Sequence, residues 1–144
     1  MISIHDILSY AYPDRGGWTV YGDSITAGDD GAVPTLEEIE THREAAEAAH
    51  AVASALAATQ AARSAMILTR AQFGEMLIRR GIKATVLAAI AAIPDETERE
   101  IMTEWFEYAP TVRRLSPKVE AIRQQILIDE GDVDTWFEEA MTYE

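Results

Sequence analysis

The sequence predicts a mainly α-helical protein with a small, turn-rich N-terminal arm that contains short β strands. Glycine, proline and aromatic residues concentrate in residues 1–34, whereas residues 35–66 are rich in alanine and contain neither glycine nor proline. After residue 69, apolar residues recur at helical spacing. The 144 residues, 48% of them hydrophobic, are enough for one ordinary core but exclude a large multi-domain enzyme.

Residues 1–34 form the predicted arm. Glycine-rich clusters at 13–17 and 28–31 indicate turns, and the run of aromatic and β-branched residues at 18–21 predicts a short strand. An arm of this length is too short to build its own core. Its aromatic residues therefore need another surface, in the same chain or in a partner, and are the first candidates for partner contacts: Tyr10, Tyr12, Trp18 and Tyr21.

Residues 35–68 are predicted to form one long alanine-rich helix. Thr35 can cap its start while Glu38 reaches back to complete a capping box, and no breaker follows before about Met66. A weak apolar seam recurs at alternating spacings of three and four residues: Ala45, Ala48, Val52, Ala55, Thr59, Ala62 and Met66. Alanine permits close helix approach, so the seam predicts a self-associating stalk. The alternative is a helix that lies along its own C-terminal domain.

Residues 69–144 are predicted to form a compact bundle of about five short helices. Each helix has an apolar stripe and a start signal or a stop signal of its own. These signals are the Thr69 and Gln72 capping box, the stop at Gly81, the stop at Pro94, the Asp95 cap, the Ser116-Pro117 start and the Asp132 cap.

The charge balance argues against several classes of partner. The chain has 25 acidic and 12 basic residues, and its formal net charge is −13. Because this charge repels phosphate backbones and anionic lipids, we expect no nucleic-acid partner and no membrane partner. The start of the chain lacks the basic and apolar regions of a secretion signal, which predicts a soluble protein made in the cytosol.

The string Gly22-Asp23-Ser24-Ile25-Thr26-Ala27-Gly28 resembles the nucleophile block of GDSL-type esterases, with Ser24 as the nucleophile. That chemistry needs a base for the serine proton, which a late Asp-x-x-His supplies in that family. No histidine follows His50, and none is preceded by an aspartate at the required spacing. An esterase is therefore only a remote alternative, and we expect a turn between two short strands here.

Two motifs could suggest metal binding. Glu47 and His50 have the Glu-x-x-His spacing of di-iron bundles, but the second such motif is missing. The acidic turn at 29–31 lacks the alternating ligands and the later glutamate of a calcium loop. We therefore expect no metal, no cofactor, no small-molecule substrate and no enzymatic activity.

The order of the parts carries one further resemblance. An aromatic, Asp/Gly-rich strip with Trp18 and Val20 precedes a proline-threonine entry into an Ala/Glu-rich helix, and a helical module follows. The module contains these marker residues: Thr69, Arg70, Ala71, Gln72, Phe73, Trp105, Ala109, Val112, Arg113, Arg114, Ser116, Pro117, Val133, Asp134, Phe137 and Ala140. Over residues 17–143 this order resembles a class of small proteins encoded beside tail-fibre genes in tailed bacteriophages and prophages.

The resemblance implies a non-catalytic structural component of a phage tail or tail fibre. Such a protein would be made in the host cytoplasm and would end in the virion, as a homo-oligomer in contact with other tail proteins through its arm and long helix. The alternative that it implies is a tail-fibre assembly chaperone that is absent from the mature virion. The chain departs from the class at 22–26, where a more acidic, glycine-rich run is common.

Overall fold

The structure is a computed structural model that describes residues 2–15, 17–22, 24–27 and 31–144. Within those residues the chain forms eight helices and four short strands, which confirms the predicted mainly helical class. The chain divides into two units, Met1–Ala58 and Thr59–Glu144. This division differs from the predicted segments 1–34, 35–68 and 69–144, because the boundary falls inside the long helix.

The first unit begins with a helix that the sequence analysis missed, α1 (Ile4–Ala11). Ser3 caps it by accepting a hydrogen bond from the backbone N–H of Asp6, and the Asp6 carboxylate accepts from the backbone N–H of Ser3. The Ser3 hydroxyl also donates to the Asp6 carboxylate at 2.6 Å, and this bond, together with that from the Ser3 backbone N–H, holds the pKa of Asp6 below its usual value. The helix buries Ile7 and Leu8 on one face.

A β-hairpin follows α1, as expected for this part of the arm. Strand β1 (Thr19–Tyr21) pairs antiparallel with β2 (Ser24–Thr26), with Val20 opposite Ile25. Gly22 lies in the connection with a φ of +59°, a conformation that glycine adopts at little steric cost. The other turn residues that the sequence analysis singled out, Gly16, Asp23, Gly28, Asp29 and Asp30, lie outside the described residues.

The predicted continuous helix of residues 35–66 is interrupted at His42. Helix α2 (Leu36–Thr41) has the predicted capping box of Thr35 and Glu38, which confirms its start. His42 caps its C-terminus, and α3 (Arg43–Ala65) then runs for 23 residues, or about 35 Å. Ile39 of α2 and Ala46 of α3, two turns apart, are both buried in the same apolar cluster.

The arm does not build a core by itself and packs on another surface of the same chain, one of the two possibilities that its length left open. It combines with α2 and the start of α3, and together they bury the residues of a small cluster: Ile7, Leu8, Trp18, Ile39 and Ala46. The ring of Tyr12 packs against this cluster, 5.8 Å from the ring of Trp18. Two of the four aromatic residues are therefore accommodated within their own unit.

The second unit contains the five predicted helices. They are α4 (Arg70–Arg79), α5 (Lys83–Ala91), α6 (Glu96–Tyr108), α7 (Pro117–Gln125) and α8 (Glu130–Ala140). Thr69, Asp95 and Ser116 cap the helices that follow them, as predicted. The predicted Asp132 cap is wrong: Asp129 accepts a hydrogen bond from the backbone N–H of Gly131, which places Asp132 in the first turn of α8.

Two strands of the second unit were not predicted. Strand β3 (Ile67–Thr69) follows α3 directly and pairs antiparallel with β4 (Thr111–Arg113), with Leu68 opposite Val112. Both of these residues are buried in the main core, whose other buried residues lie mainly on α4, α5, α7 and α8, while Met102, Trp105 and Phe106 of α6 pack against it half-buried. The ring of Phe73 lies 6.2 Å from the ring of Phe106 and 6.3 Å from the ring of Phe137.

Leu127 follows α7 in a left-handed conformation, with a φ of 55°, and is 90% exposed. The backbone N–H of Ile128 donates to the carbonyl of Arg123, so Leu127 occupies the position at which helices usually have glycine. We therefore expect Leu127→Gly to raise the free energy of unfolding by about 1 kcal/mol. Urea denaturation measures this, and Leu127→Ala, which keeps the strained backbone, should bring no such gain.

Among the described helices, none has both the length and the apolar composition of a membrane-spanning segment.

Candidate functional site

The middle of α3 is the most unusual surface of the described chain. Every residue from 51 to 62 is exposed, so no side of the helix is covered over these three turns. The largest apolar side chains here, Val52 and Leu56, are 70% and 60% exposed. Helices of globular proteins usually bury one apolar face, so this segment differs from an ordinary packed helix.

This exposed segment is also uncharged. Residues 48–62 contain no aspartate, glutamate, lysine or arginine, although the chain as a whole has a net charge of −13. The charged residues of α3 lie in its first two turns and near its end: Arg43, Glu44, Glu47 and Arg63. An uncharged helix surface can approach a copy of itself without electrostatic repulsion at the point of contact.

The predicted seam is largely, but not completely, on this surface. Ala45, Ala48, Val52, Ala55 and Ala62 are all exposed. Met66, by contrast, lies beyond the helix and is buried in the core of the second unit, so it is not available for contact in this fold. The sequence analysis overlooked Leu56, which lies one turn after Val52 on the same side of the helix and enlarges the apolar surface.

Alanine content explains how α3 persists without cover. Alanine has the highest intrinsic helix propensity, and most of the exposed segment consists of alanine. At the start of the helix, the Arg43 guanidinium lies 2.5 Å from the Glu40 carboxylate, and this contact lowers the pKa of Glu40. The helix is therefore stable enough to present its surface to a partner.

The end of α3 is held by a partly buried ionic cluster that the sequence analysis did not predict. One carboxylate, that of Asp134, accepts hydrogen bonds from two arginines: from Nε of Arg114 at 2.6 Å and from Nε of Arg63 at 2.8 Å. Arg63 also donates to Glu130 at 2.6 Å. These bonds raise the pKa of Arg63, with the Asp134 contact as the main cause.

Arg114 lies at the centre of this cluster, with only 2% of its side chain exposed. The sequence analysis named it only as a marker residue; in the structure it is a buried group that needs its counter-charge. Its second donor reaches the backbone carbonyl of Glu130 at 3.1 Å. The cluster therefore fixes the last turns of α3, through Arg63, to α8.

The four arm aromatics separate into two groups. Trp18 is buried and Tyr12 is half-buried, and the Arg15 guanidinium lies 4.7 Å from the centre of the Trp18 ring. Within the described residues, the indole Nε1 of Trp18 is buried without a hydrogen-bond partner. Tyr10 and Tyr21, at 47% and 87% exposure, remain on the surface and are the aromatics that a partner could contact.

The structure gives the described part of the esterase-like string an ordinary structural role. Ser24 is exposed and begins β2, and no hydrogen bond joins it to a histidine within the described residues. His50 instead lies 3.5 Å from the Ser54 hydroxyl, one turn away on α3. Asp23, the neighbour of Ser24 in this string, lies outside the described residues.

No group of three or more potential metal-ligating side chains occurs in the part of the chain that the structure describes. Glu47 and His50, the pair with metal-ligand spacing, lie in the N-terminal half of α3. Glu47 is 4.0 Å from the Arg43 guanidinium. The pair therefore has a surface ion-pair neighbour, and within the described residues it belongs to no group of three possible metal ligands.

Comparison with known proteins gives no match to a family model, to a curated protein or to a solved structure.

Proposed function

We propose that the chain is a non-catalytic structural component of a bacteriophage tail or tail fibre that self-associates through α3. The observation that carries this proposal is the exposed, uncharged segment of α3. Its order of parts, with an aromatic strip, an alanine-rich helix and a helical module, resembles the tail-fibre-associated class and supplies the biological setting.

The physical argument for self-association starts from charge. A chain with a net charge of −13 repels its own copies over most of its surface, and the repulsion is smallest where no carboxylate is present. Residues 48–62 are such a place, and their alanine side chains allow two helix axes to come close. Burying Val52 and Leu56 against a second copy would remove two exposed apolar side chains from water.

The exposed tyrosines provide a second point of contact in this proposal. Tyr10 lies on α1, and Tyr21 ends β1 at the hairpin connection. Tyrosine combines a large apolar ring with a hydroxyl, and it is enriched in protein interfaces for that reason. We assign these two residues, and not Trp18 or Tyr12, to contacts with other tail proteins.

The location of the chain in mature particles tests the proposal against its alternative. Purified tailed particles from the strain that encodes the chain are analysed by quantitative mass spectrometry. A structural component is expected at a fixed ratio to the other tail proteins. A chain found with the fibre protein in the lysate but absent from the particles would instead identify an assembly chaperone.

A pair of variants makes the same experiment specific for α3. Val52→Glu places a charge in the seam, and we expect particles that lack the chain or contain much less of it. Ala57→Glu adds the same charge on the other side of the helix and should leave incorporation unchanged. Equal incorporation of both variants would contradict a role for the seam.

A further inference from the structure

The second unit has a groove beside α6. It has a volume of about 1070 Å³ and lies between α5 and α6, next to the first turn of α7. None of the 13 residues of α6 is fully buried, although the helix carries Trp105 and Phe106. The packing of α6 is therefore incomplete on its groove side.

Apolar side chains from both helices form part of the groove lining. Leu87 of α5 is 45% exposed, and Ile101 and Tyr108 of α6 are 53% and 63% exposed. Ile101, Trp105 and Tyr108 are spaced by four and three residues, so they form one stripe along α6. A neighbouring apolar stripe on a partner would find three anchors over about 10 Å of helix.

An acidic stripe runs beside the apolar one. Glu100, Glu104 and Glu107 are exposed, line the groove and share one side of α6 because they are spaced by four and three residues. Across the described ranges, none of the three carboxylates forms an ion pair. Their charges remain available to a partner.

The cations at the groove are already engaged within the chain. Arg99 donates to the backbone carbonyl of Ile93 at 2.8 Å, and the Lys118 ammonium lies 5.5 Å from the centre of the Trp105 ring. Neither of them neutralises the three glutamates through a direct ion pair. The groove therefore combines apolar anchors with unneutralised negative charge.

From this combination we infer that the groove binds an amphipathic helix of another protein, one that carries basic residues beside its apolar face. The apolar face would lie on Ile101, Trp105 and Tyr108, and lysine or arginine side chains would reach the glutamates. A second copy of this chain fits less well, because the exposed apolar surface of its α3 contains no cation between residues 48 and 62. The inference does not depend on self-association through α3.

A fluorescein-labelled synthetic helix of leucine and lysine, with the lysines on one face, serves as the probe. Its affinity for the full chain is measured by fluorescence anisotropy. Because buried charge pairs and apolar anchors both contribute, we expect the combined variant Glu100→Gln, Glu104→Gln and Glu107→Gln to weaken binding by about tenfold or more. A matched peptide with glutamate in place of lysine should not bind.

Two controls separate a specific groove from general attraction to an acidic protein. Glu37→Gln, Glu138→Gln and Glu144→Gln together change the net charge equally at exposed positions outside the groove and should alter affinity by less than about threefold. Ile101→Ser removes an exposed anchor, and Leu87→Ser does so from the opposite wall. Each should weaken binding about tenfold while the far-ultraviolet circular dichroism of the free chain is unchanged.

The inference is overturned if the control triple variant weakens binding as much as the groove variant, since the attraction is then non-specific. It is also overturned if folded Ile101→Ser and Leu87→Ser proteins bind the probe as the original chain does, or if the lysine peptide does not bind at all.

Discussion

Asp134→Ala is expected to lower the free energy of unfolding by about 3–5 kcal/mol, because it leaves two arginines without the carboxylate that they share. Arg114 is almost completely buried, so water cannot replace the lost partner. Arg63 also loses one of its two carboxylate partners on α8 and keeps only the Glu130 contact. Urea denaturation at neutral pH, followed by circular dichroism, measures the loss.

Asp132→Ala is the matched control for this prediction. Asp132 lies in the first turn of the same helix and is exposed. Its negative charge stabilises the helix there only through the helix dipole. Its removal should cost less than about 1 kcal/mol. Similar losses for the two variants would show that the Asp134 cluster has no special part in the stability of the second unit.

Phe137→Ala is the second substitution with a large expected effect. The ring of Phe137 is completely buried and packs against Phe73 at the centre of the main core. Truncation removes its apolar area and leaves a cavity, so we expect a loss of about 3–5 kcal/mol in the free energy of unfolding. Thermal and urea unfolding curves of the purified variant measure it.

Phe106→Ala is the matched control for Phe137→Ala. The ring of Phe106 also packs against Phe73, at 6.2 Å, but Phe106 is only half-buried. Its ring gives up less buried area, and a loss of about 1–2 kcal/mol is expected. An equal loss of stability for the two variants would contradict the larger contribution that we assign to the buried Phe137 ring.

The helix starts could be predicted because capping is local chemistry. Thr35 with Glu38, Thr69 with Gln72 and Ser116 before Pro117 each act within four residues, and the structure has all three. Asp132 shows where this reasoning stops. Asp129, three residues earlier, has the same side chain and can cap equally well. In the structure Asp129 is the cap, and α8 begins about one turn earlier than predicted.

Features that depend on distant parts of the chain could not be predicted in this way. Strands β3 and β4 have three residues each, and only their mutual pairing makes them strands. The ionic cluster joins Arg63, Arg114 and Asp134, whose positions in the sequence give no sign of their contact. Ser3 and Asp6 did carry a local signal for α1, but the following apolar run is short.

The exposure of α3 is a third kind of case. Alanine forms a stable helix whether or not it is covered, so the sequence was equally consistent with a packed helix and with an exposed stalk. In the structure Ala46 is buried in the cluster that contains Ile39, whereas residues 51–62 are exposed. The sequence pattern marks the seam, but the exposure of its residues could only come from the structure.

The mass of the purified full-length chain, measured by light scattering beside Ala48→Glu and Ala57→Glu, tests self-association most directly. Both variants add one glutamate in place of an exposed alanine of α3, on opposite sides of the helix because the positions are two and a half turns apart. We expect the original chain and Ala57→Glu to have a multiple of the 15.9 kDa monomer mass, and Ala48→Glu to have the monomer mass. A monomer mass for the original chain at every concentration would contradict the proposed role of α3.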